Sequence, residues 1–430
     1  GIKKGEKHPE NRGVHGYMGF LNRNCVTIAE VLKEAGYHTY MTGKWHVGMH
    51  GKEKWPLQRG FEHFYGILAG ASSYLKPQGG RGLTLDNTNL PAPQSPYYTT
   101  DAFTDYAIRF IDEQTDDNPF FLYLAYNAPH WPLHAKDKDL EKFAGKYDKG
   151  WEAVREERYR KMVELGIVNP DWKLAEWESR AWNELTEAER DSSSLRMSVY
   201  AAQVYCMDYN IGKLIDYLEE EGKLDNTLIS DNGACAEPYS EKGFGSTSEI
   251  NKLDSWVHPS YGLPWAQVSN TPYRKYKVRA YEGGIATPLI ISWPEVLGKY
   301  SNQIRRNVGF VPDIMATFVE VARAEYPTTY HDGNSIIPMA GTSLMSTVHN
   351  PDKQIHEYIF GEHFNNCFVR WKNWKAVKDE KMKEWELYDI EKDRTEWNNV
   401  AAEYPDVLKK MVRKWEEWAN ECYIFPKRLN

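Results

Sequence analysis

The stretch that decides the fold is Asn226-Thr227-Leu228-Ile229-Ser230-Asp231-Asn232-Gly233. A short β-branched apolar run ends here in a carboxylate, an amide and a glycine. Open α/β sheets present their chemistry in this way, because ligands sit beyond the carboxyl ends of strands. Asp231 and Asn232 are adjacent hard oxygen donors of the kind that Ca²⁺ or Mg²⁺ collects. By itself Asp-Asn-Gly is an ordinary turn sequence, so its meaning depends on the rest of the chain.

Working back from this strand, residues 194–221 read as one long helix stopped by Gly222. Its inward face would be Met197, Tyr200, Ala201, Val204, Met207, Ile211, Leu214, Ile215 and Leu218. Before it, residues 136–190 are highly charged and read as a solvated insertion with helical stretches. Residues 119–126, Pro-Phe-Phe-Leu-Tyr-Leu-Ala-Tyr, are apolar throughout, as for a strand covered on both faces. That strand runs into Asn127-Ala128-Pro129-His130-Trp131-Pro132. Residues 101–113 form a helix with Phe103, Ala107, Phe110 and Ile111 inward, and 51–100 read as a long irregular surface segment. Further upstream, Thr27-Ile28-Ala29-Glu30 is a capping box opening an amphipathic helix stopped by Gly36. Residues 37–41 follow as a strand ending in Thr42-Gly43-Lys44-Trp45-His46-Val47-Gly48.

Downstream, 240–275 read as loop, and Tyr281-Glu282-Gly283-Gly284 leads into a buried strand over 287–293. A helix is predicted over 311–324, then short strands at 358–361, 368–371, 374–377 and 386–388, and a last helix over 406–420. Helix–strand alternation predicts a large, mostly parallel sheet. The expected division is an α/β domain over 1–349 and a small antiparallel-sheet subdomain with one helix over 350–430.

The chain has 430 residues, 41% of them hydrophobic and 27% charged, enough for a real core in a protein of ordinary surface. A net charge of −8 gives no basic field to hold nucleic acid. No apolar run approaches the ~18 residues that cross a bilayer. The five cysteines lack the CxxC spacing of a zinc site, and no h-region marks a signal peptide at residue 1.

Strand ends thus hold Lys44 with His46, His130, and Asp231 with Asn232, while Lys277 precedes a further strand. Two imidazoles, two ammonium groups and a hard-metal pair suit a multiply oxygenated anion: cations neutralise it and imidazoles move protons. In this order the motifs resemble the type I sulfatases of the alkaline phosphatase superfamily. Gly43-Lys44-Trp45-His46-Val47-Gly48 looks like that family's second signature, and Ala128-Pro129-His130-Trp131-Pro132-Leu133 like its sulfate-binding histidine segment. Ser230-Asp231-Asn232-Gly233 matches half of its metal site, and Lys277, five residues before Glu282, matches its sulfate-contacting lysine.

The resemblance implies an alkaline-phosphatase-like sandwich and a sulfate-ester hydrolase acting on aryl or glycan sulfates, in the periplasm or secreted. It implies Asp231 and Asn232 as ligands of Ca²⁺ (or Mg²⁺), and Lys44 and Lys277 as charge stabilisers. It implies His130 at the bridging oxygen or leaving alcohol, and His46 as the base that collapses a covalent intermediate. The family's nucleophile is a formylglycine made within Cys/Ser-x-Pro/Ala-x-Arg, and no such segment occurs in these 430 residues. Asn270-Thr271-Pro272-Tyr273-Arg274 has the spacing, but Asn cannot become the aldehyde. The expectation is that the nucleophile and the other metal aspartates lie upstream of residue 1, and that this chain alone is impaired. A phosphate or phosphonate monoester hydrolase on the same scaffold, or a non-catalytic binder of sulfated glycan, are the alternatives. Tyr65, Tyr74, Trp256, Tyr261, Trp265, Glu362 and His363 are candidate lining residues for the leaving group, or ordinary packing residues.

Overall fold

The computed structural model describes residues 19–231, 247–252, 259–422 and 424. Its centre is a five-stranded mixed sheet in the order β4-β3-β2-β1-β5. The strands are β1 (His38–Lys44), β2 (His63–Ile67), β3 (Leu83–Leu85), β4 (Thr88–Asn89) and β5 (Phe120–Ala125). β1 runs parallel to both β2 and β5, whereas β3 and β4 add antiparallel.

Alternation along β1 and β2 separates two cores, because successive strand side chains point to opposite faces. Tyr40, Tyr65 and Ile67 pack with Phe103, Phe110 and Ile111 of the helix Thr99–Asp112. Met41 and Phe64 face the other way, into Ala29 of the helix Ile28–Glu34 and Trp45, Trp55 and Phe61. The capping box at that helix is present: Thr27 Oγ1 accepts from Glu30 N at 3.0 Å, and Glu30 Oε2 accepts from Thr27 N at 2.7 Å. Truncating a fully buried ring such as Phe103 in such a layer costs about 3–5 kcal/mol.

Several expectations are corrected. The segment 51–100 is not merely irregular surface, since it supplies β2, whose Phe64 and Ile67 are fully buried. β5 is an edge of its sheet among the described residues, not a strand covered on both faces, and Tyr123 is 48% exposed. The charged insertion is more than a solvated arm. Trp151 and Leu185 belong to a core with Met197, Tyr200, Tyr261 and Trp265, against which Trp177 and Trp182 pack.

The long helix begins earlier than its apolar face suggests, at Glu187, and runs to Glu220. A second capping box starts it, with Glu189 accepting from Thr186 N at 2.8 Å. Its Val204, Met207, Ile211, Leu214 and Ile215 are only partly buried, while Ser194, Ser198 and Gln203 are buried. Within the stretch read as loop lies the helix Gly262–Ser269, which buries Trp265 and Ala266 completely.

The strand that ends in Asp231 is β6 (Ile229–Asp231), and it pairs antiparallel with β7 (Ile290–Ser292) as a separate two-stranded unit among the described residues. β7 was expected to be buried, yet Ile290 is 64% exposed. A helix, Pro312–Val321, follows. The chain ends in a four-stranded antiparallel sheet of β8 (Tyr358–His363), β9 (Asn366–Trp371), β10 (Trp374–Lys378) and β11 (Glu386–Asp389). The helix Pro405–Glu421 covers it with Met411, Trp415 and Ala419.

Candidate active site

Lys44 is the last residue of β1, and β5 ends one register step earlier, at Ala125 opposite Gly43. Two parallel strands therefore release their chains side by side, which is where an α/β sheet collects function. After β1 the backbone stays tied to the extension of β2. Trp45 N donates to Ile67 O at 2.9 Å, and His46 N to Leu68 O at 3.2 Å. Trp45 turns inward onto Phe61, edge to face at 6.2 Å, which leaves His46 on the other side of the chain.

His46 adopts φ 57°, and its imidazole lies directly against Gly70. Any Cβ at Gly70 would overlap Nε2 and Cε1 of the ring. That Nε2 is buried with no hydrogen-bond partner. Burial, with neighbouring positive charges that include Lys44, Lys277 and His130 adding to it, pushes the His46 pKa down to about 3. Both effects disfavour the imidazolium. Three of the residues singled out in the sequence therefore lie close enough to the fourth to add to the effect of burial.

His130 sits beyond β5 in a segment with cis peptide bonds at Ala128–Pro129 and Trp131–Pro132. Its backbone is held from both ends. His130 N donates to Asn127 O at 3.0 Å, and the single proton of Tyr74 Oη is shared between the His130 and Asn127 carbonyls, 2.7 and 2.9 Å away. Its Nδ1 lies 2.8 Å from Trp131 O, a carbonyl that can only accept, so Nδ1 carries a proton.

Lys277 does not precede a strand directly; it lies in the loop between the helices Gly262–Ser269 and Glu282–Ile285. This loop packs with its backbone on Gly283 and Gly284. A Cβ on either glycine would collide with carbonyl oxygens of Arg274, Lys275, Tyr276 or Arg279. Glu282 is buried and meets Lys375 at 2.9 Å and Arg394 at 3.0 Å, while Lys375 meets Glu396 at 2.8 Å. Glu396 in turn accepts from Glu282 N at 2.8 Å. The C-terminal sheet thus clamps the base of the Lys277 loop. The segment Asn270–Arg274 is the turn after a helix, with Thr271 Oγ1 on Val268 O at 2.7 Å.

Asp231 closes β6 at the register position opposite Ile290, and Asn232 lies outside the described residues. The pair offers the hard oxygen chemistry that suits Ca²⁺ or Mg²⁺. Among the described residues there is no group of three or more His, Cys, Asp or Glu that could hold a metal.

The aromatic candidates separate cleanly. Tyr65 is buried, stacked on Tyr106 at 3.6 Å. Trp265 is fully buried beside Trp151 and Trp182, and Tyr261 stacks on Tyr200 at 4.3 Å. These are packing residues. Trp256 lies outside the described residues. Glu362 accepts from Asn365 N at 2.8 Å in the β8–β9 hairpin, and the neighbouring His363 is exposed. Tyr74 is fully buried and holds the His130 segment rather than lining a cleft. Sequence reasoning missed Gly70 and Arg81; the one signal for them was the glycine density of 66–82.

In this mixed α/β fold Lys44 and His46 leave β1 and His130 follows the adjacent β5. Residues 6–323 match the sulfatase family, and residues 273–421 match "N-sulphoglucosamine sulphohydrolase, C-terminal". The chain belongs to the sulfatase family, whose members are sulfuric ester hydrolases. It is 31% identical to an uncharacterized sulfatase of Schizosaccharomyces pombe, over 94% of this chain and 78% of that one. It is 32% identical to an arylsulfatase of Klebsiella aerogenes, over 77% of this chain and 75% of that one. Its fold is similar to that of a protein solved with its substrate D-glucosamine-2-N,6-O-disulfate. The TM-score is 0.62 at 20% identity, over 96% of this chain and 85% of the other. Among the described residues no helix is long and apolar enough to cross a membrane.

Proposed function

We propose that the chain carries the substrate-binding and proton-transfer half of a sulfatase site acting on aryl or carbohydrate sulfate monoesters. The observation that carries this reading is the half-buried imidazole of His46 just beyond β1, whose buried Nε2 has no hydrogen-bond partner and packs against Gly70, in the neighbourhood of the charges of Lys44, Lys277 and His130. Such a field favours a compact oxyanion, and it strengthens where water is excluded. Lys44 and Lys277 would neutralise the sulfate oxygens. His130, with Nδ1 fixed on Trp131 O, would present Nε2 to the bridging oxygen and donate a proton to the leaving alcohol, assisted by Lys277. His46, uncharged at neutral pH, would take up the proton released when the sulfated intermediate collapses.

Asp231 and Asn232 would contribute oxygens to a Ca²⁺ (or Mg²⁺) site, where a bound cation polarises a sulfate oxygen. The nucleophile would be a formylglycine supplied from outside these residues, so that this chain alone turns over slowly.

The test is hydrolysis of 4-nitrophenyl sulfate and 4-nitrophenyl phosphate by this chain and by a version extended upstream. Sulfate turnover that appears only in the extended protein is expected. Robust turnover by the 430-residue chain would overturn the half-site, and turnover of the phosphate alone would overturn the sulfate assignment.

A further inference from the structure

Residues 70–82 touch the proposed site three times. Gly70 backs the His46 ring, and Tyr74 holds the His130 carbonyl at 2.7 Å. The Arg81 guanidinium lies 5.9 Å from the centre of the Trp131 ring, and that ring is 4.7 Å from the imidazole of His130. The backbone of Arg81 is fixed, since its carbonyl accepts from Ser72 Oγ at 2.6 Å.

The side chain as a whole is half-buried, and one of its nitrogens is not satisfied in the same way. Arg81 Nη1 is buried with no acceptor. A guanidinium has five N–H donors, and the face of an indole attracts its charge without supplying an acceptor for them. A buried charged donor without an acceptor is costly, and a native protein that keeps one has a reason to. Arg81 forms no ion pair among the described residues, so its charge is spent on no carboxylate of the fold. The proposed role of His130 is at the bridging oxygen, so groups grouped around its Trp131 neighbour lie toward the leaving group.

We propose that Arg81, braced by Trp131, forms a leaving-group subsite for a second anion, and that the substrate is therefore a sulfate ester bearing a carboxylate or a further sulfate beside the scissile one. This deepens the sulfatase reading and rests on it. The planar fork of a guanidinium matches either anion in a bidentate manner, which an ammonium group does not.

The experiment is equilibrium binding to the 430-residue chain, which needs no turnover. The probes are phenyl sulfate, 4-carboxyphenyl sulfate and 1,4-phenylene disulfate, with one aryl skeleton and one or two anions. Both dianions should bind about tenfold more tightly than phenyl sulfate, the worth of one charge-assisted hydrogen-bonded pair. The better of the two identifies the second anion. Arg81→Ala should cut dianion affinity about tenfold more than it cuts that of phenyl sulfate, and Arg81→Lys should restore part of the difference. Equal affinity for all three probes, or an equal loss for all three in Arg81→Ala, would overturn the subsite while leaving the sulfatase reading in place. Failure of every probe to bind would remove that reading and the subsite with it.

Discussion

Glu282 and Lys375 meet at 2.9 Å in the interior, although they are 93 residues apart in sequence. Lys375 is fully buried on β10, and Glu396 also reaches it, at 2.8 Å. Two carboxylates and one ammonium cannot all be satisfied pairwise, and Arg394 on Glu282 supplies the second cation. The consequence for titration is a split. Glu282 is held below the usual carboxylate range; burial opposes this and Lys375 and Arg394 outweigh it. Glu396 is pushed above that range, chiefly by burial and by the Glu282 charge.

The first prediction follows from that cluster. Lys375→Met should cost about 3–5 kcal/mol, because removing one partner leaves buried charge uncompensated. Urea unfolding measures it, and a loss below about 1 kcal/mol would show that the carboxylates find water instead. The pH signs oppose each other. Glu282 contributes stability above its unfolded pKa that is lost as pH falls through its lowered folded value. Glu396 contributes stability below its unfolded pKa that is lost as pH rises through its raised folded value. Glu396→Gln should therefore remove the loss on the alkaline side and keep the acid one.

Gly70→Ala is the second. The new methyl would occupy the space of the His46 ring, so the imidazole must move while the surrounding sheet need not. Misplacing a reacting group by about 1 Å costs up to ~100-fold in rate. In the upstream-extended protein, kcat for an aryl sulfate should fall about 10- to 100-fold with the melting temperature within a few degrees of the parent. Unchanged kcat would mean that the position of His46 is irrelevant to turnover.

Tyr74→Phe is the third. The lost hydroxyl serves the Asn127 and His130 carbonyls, both beside the reacting segment. Leaving a buried polar group unpaired costs about 1–3 kcal/mol. The expected pattern is that stability loss together with a fall in kcat larger than any rise in KM, because the orientation of His130 is disturbed and the cations on Lys44 and Lys277 are not. A variant that loses stability but keeps kcat would reduce Tyr74 to a packing residue.

How much of this could be read from the chain differs from residue to residue. The Lys44–His46 segment was legible because a strand signal stops in a polar cluster bounded by Gly43 and Gly48. The place of Lys277 was legible only through Glu282-Gly283-Gly284, and the structure gives the physical reason: the loop's carbonyls rest on those two glycines. Tyr65 and Trp265 were illegible. Whether an aromatic side chain is buried depends on partners far along the chain, here Tyr106 for one and Trp151 and Trp182 for the other. β2 escaped notice because it is short, carries Gly66 and is fixed by non-local parallel pairing to β1. The start of the helix Glu187–Glu220 is hidden in the sequence because its cap, Thr186 with Glu189, precedes the apolar periodicity by about three turns.

The last prediction concerns the charge on His46. Its pKa is pushed down to about 3, first by burial and further by neighbours that include Lys44, Lys277 and His130. An unfolded histidine titrates near 6.5. Between those values the unfolded chain binds a proton that the native one refuses, so stability falls as pH drops from about 6.5 toward 3. His46→Leu should flatten that slope in urea unfolding at pH 4–6.5. Anion binding should act the other way on the ring itself. A sulfate-sized dianion neutralises the surrounding cations and gives the imidazolium an acceptor, so the His46 pKa must rise on binding. Histidine ring NMR in the free protein should show one imidazole still uncharged at pH 4.5, absent in His46→Leu, and saturating inorganic sulfate should shift its midpoint upward by at least about one unit. A His46 resonance that titrates near 6.5 in the free protein, or one that sulfate leaves in place, would dissolve the electrostatic coupling on which the site depends.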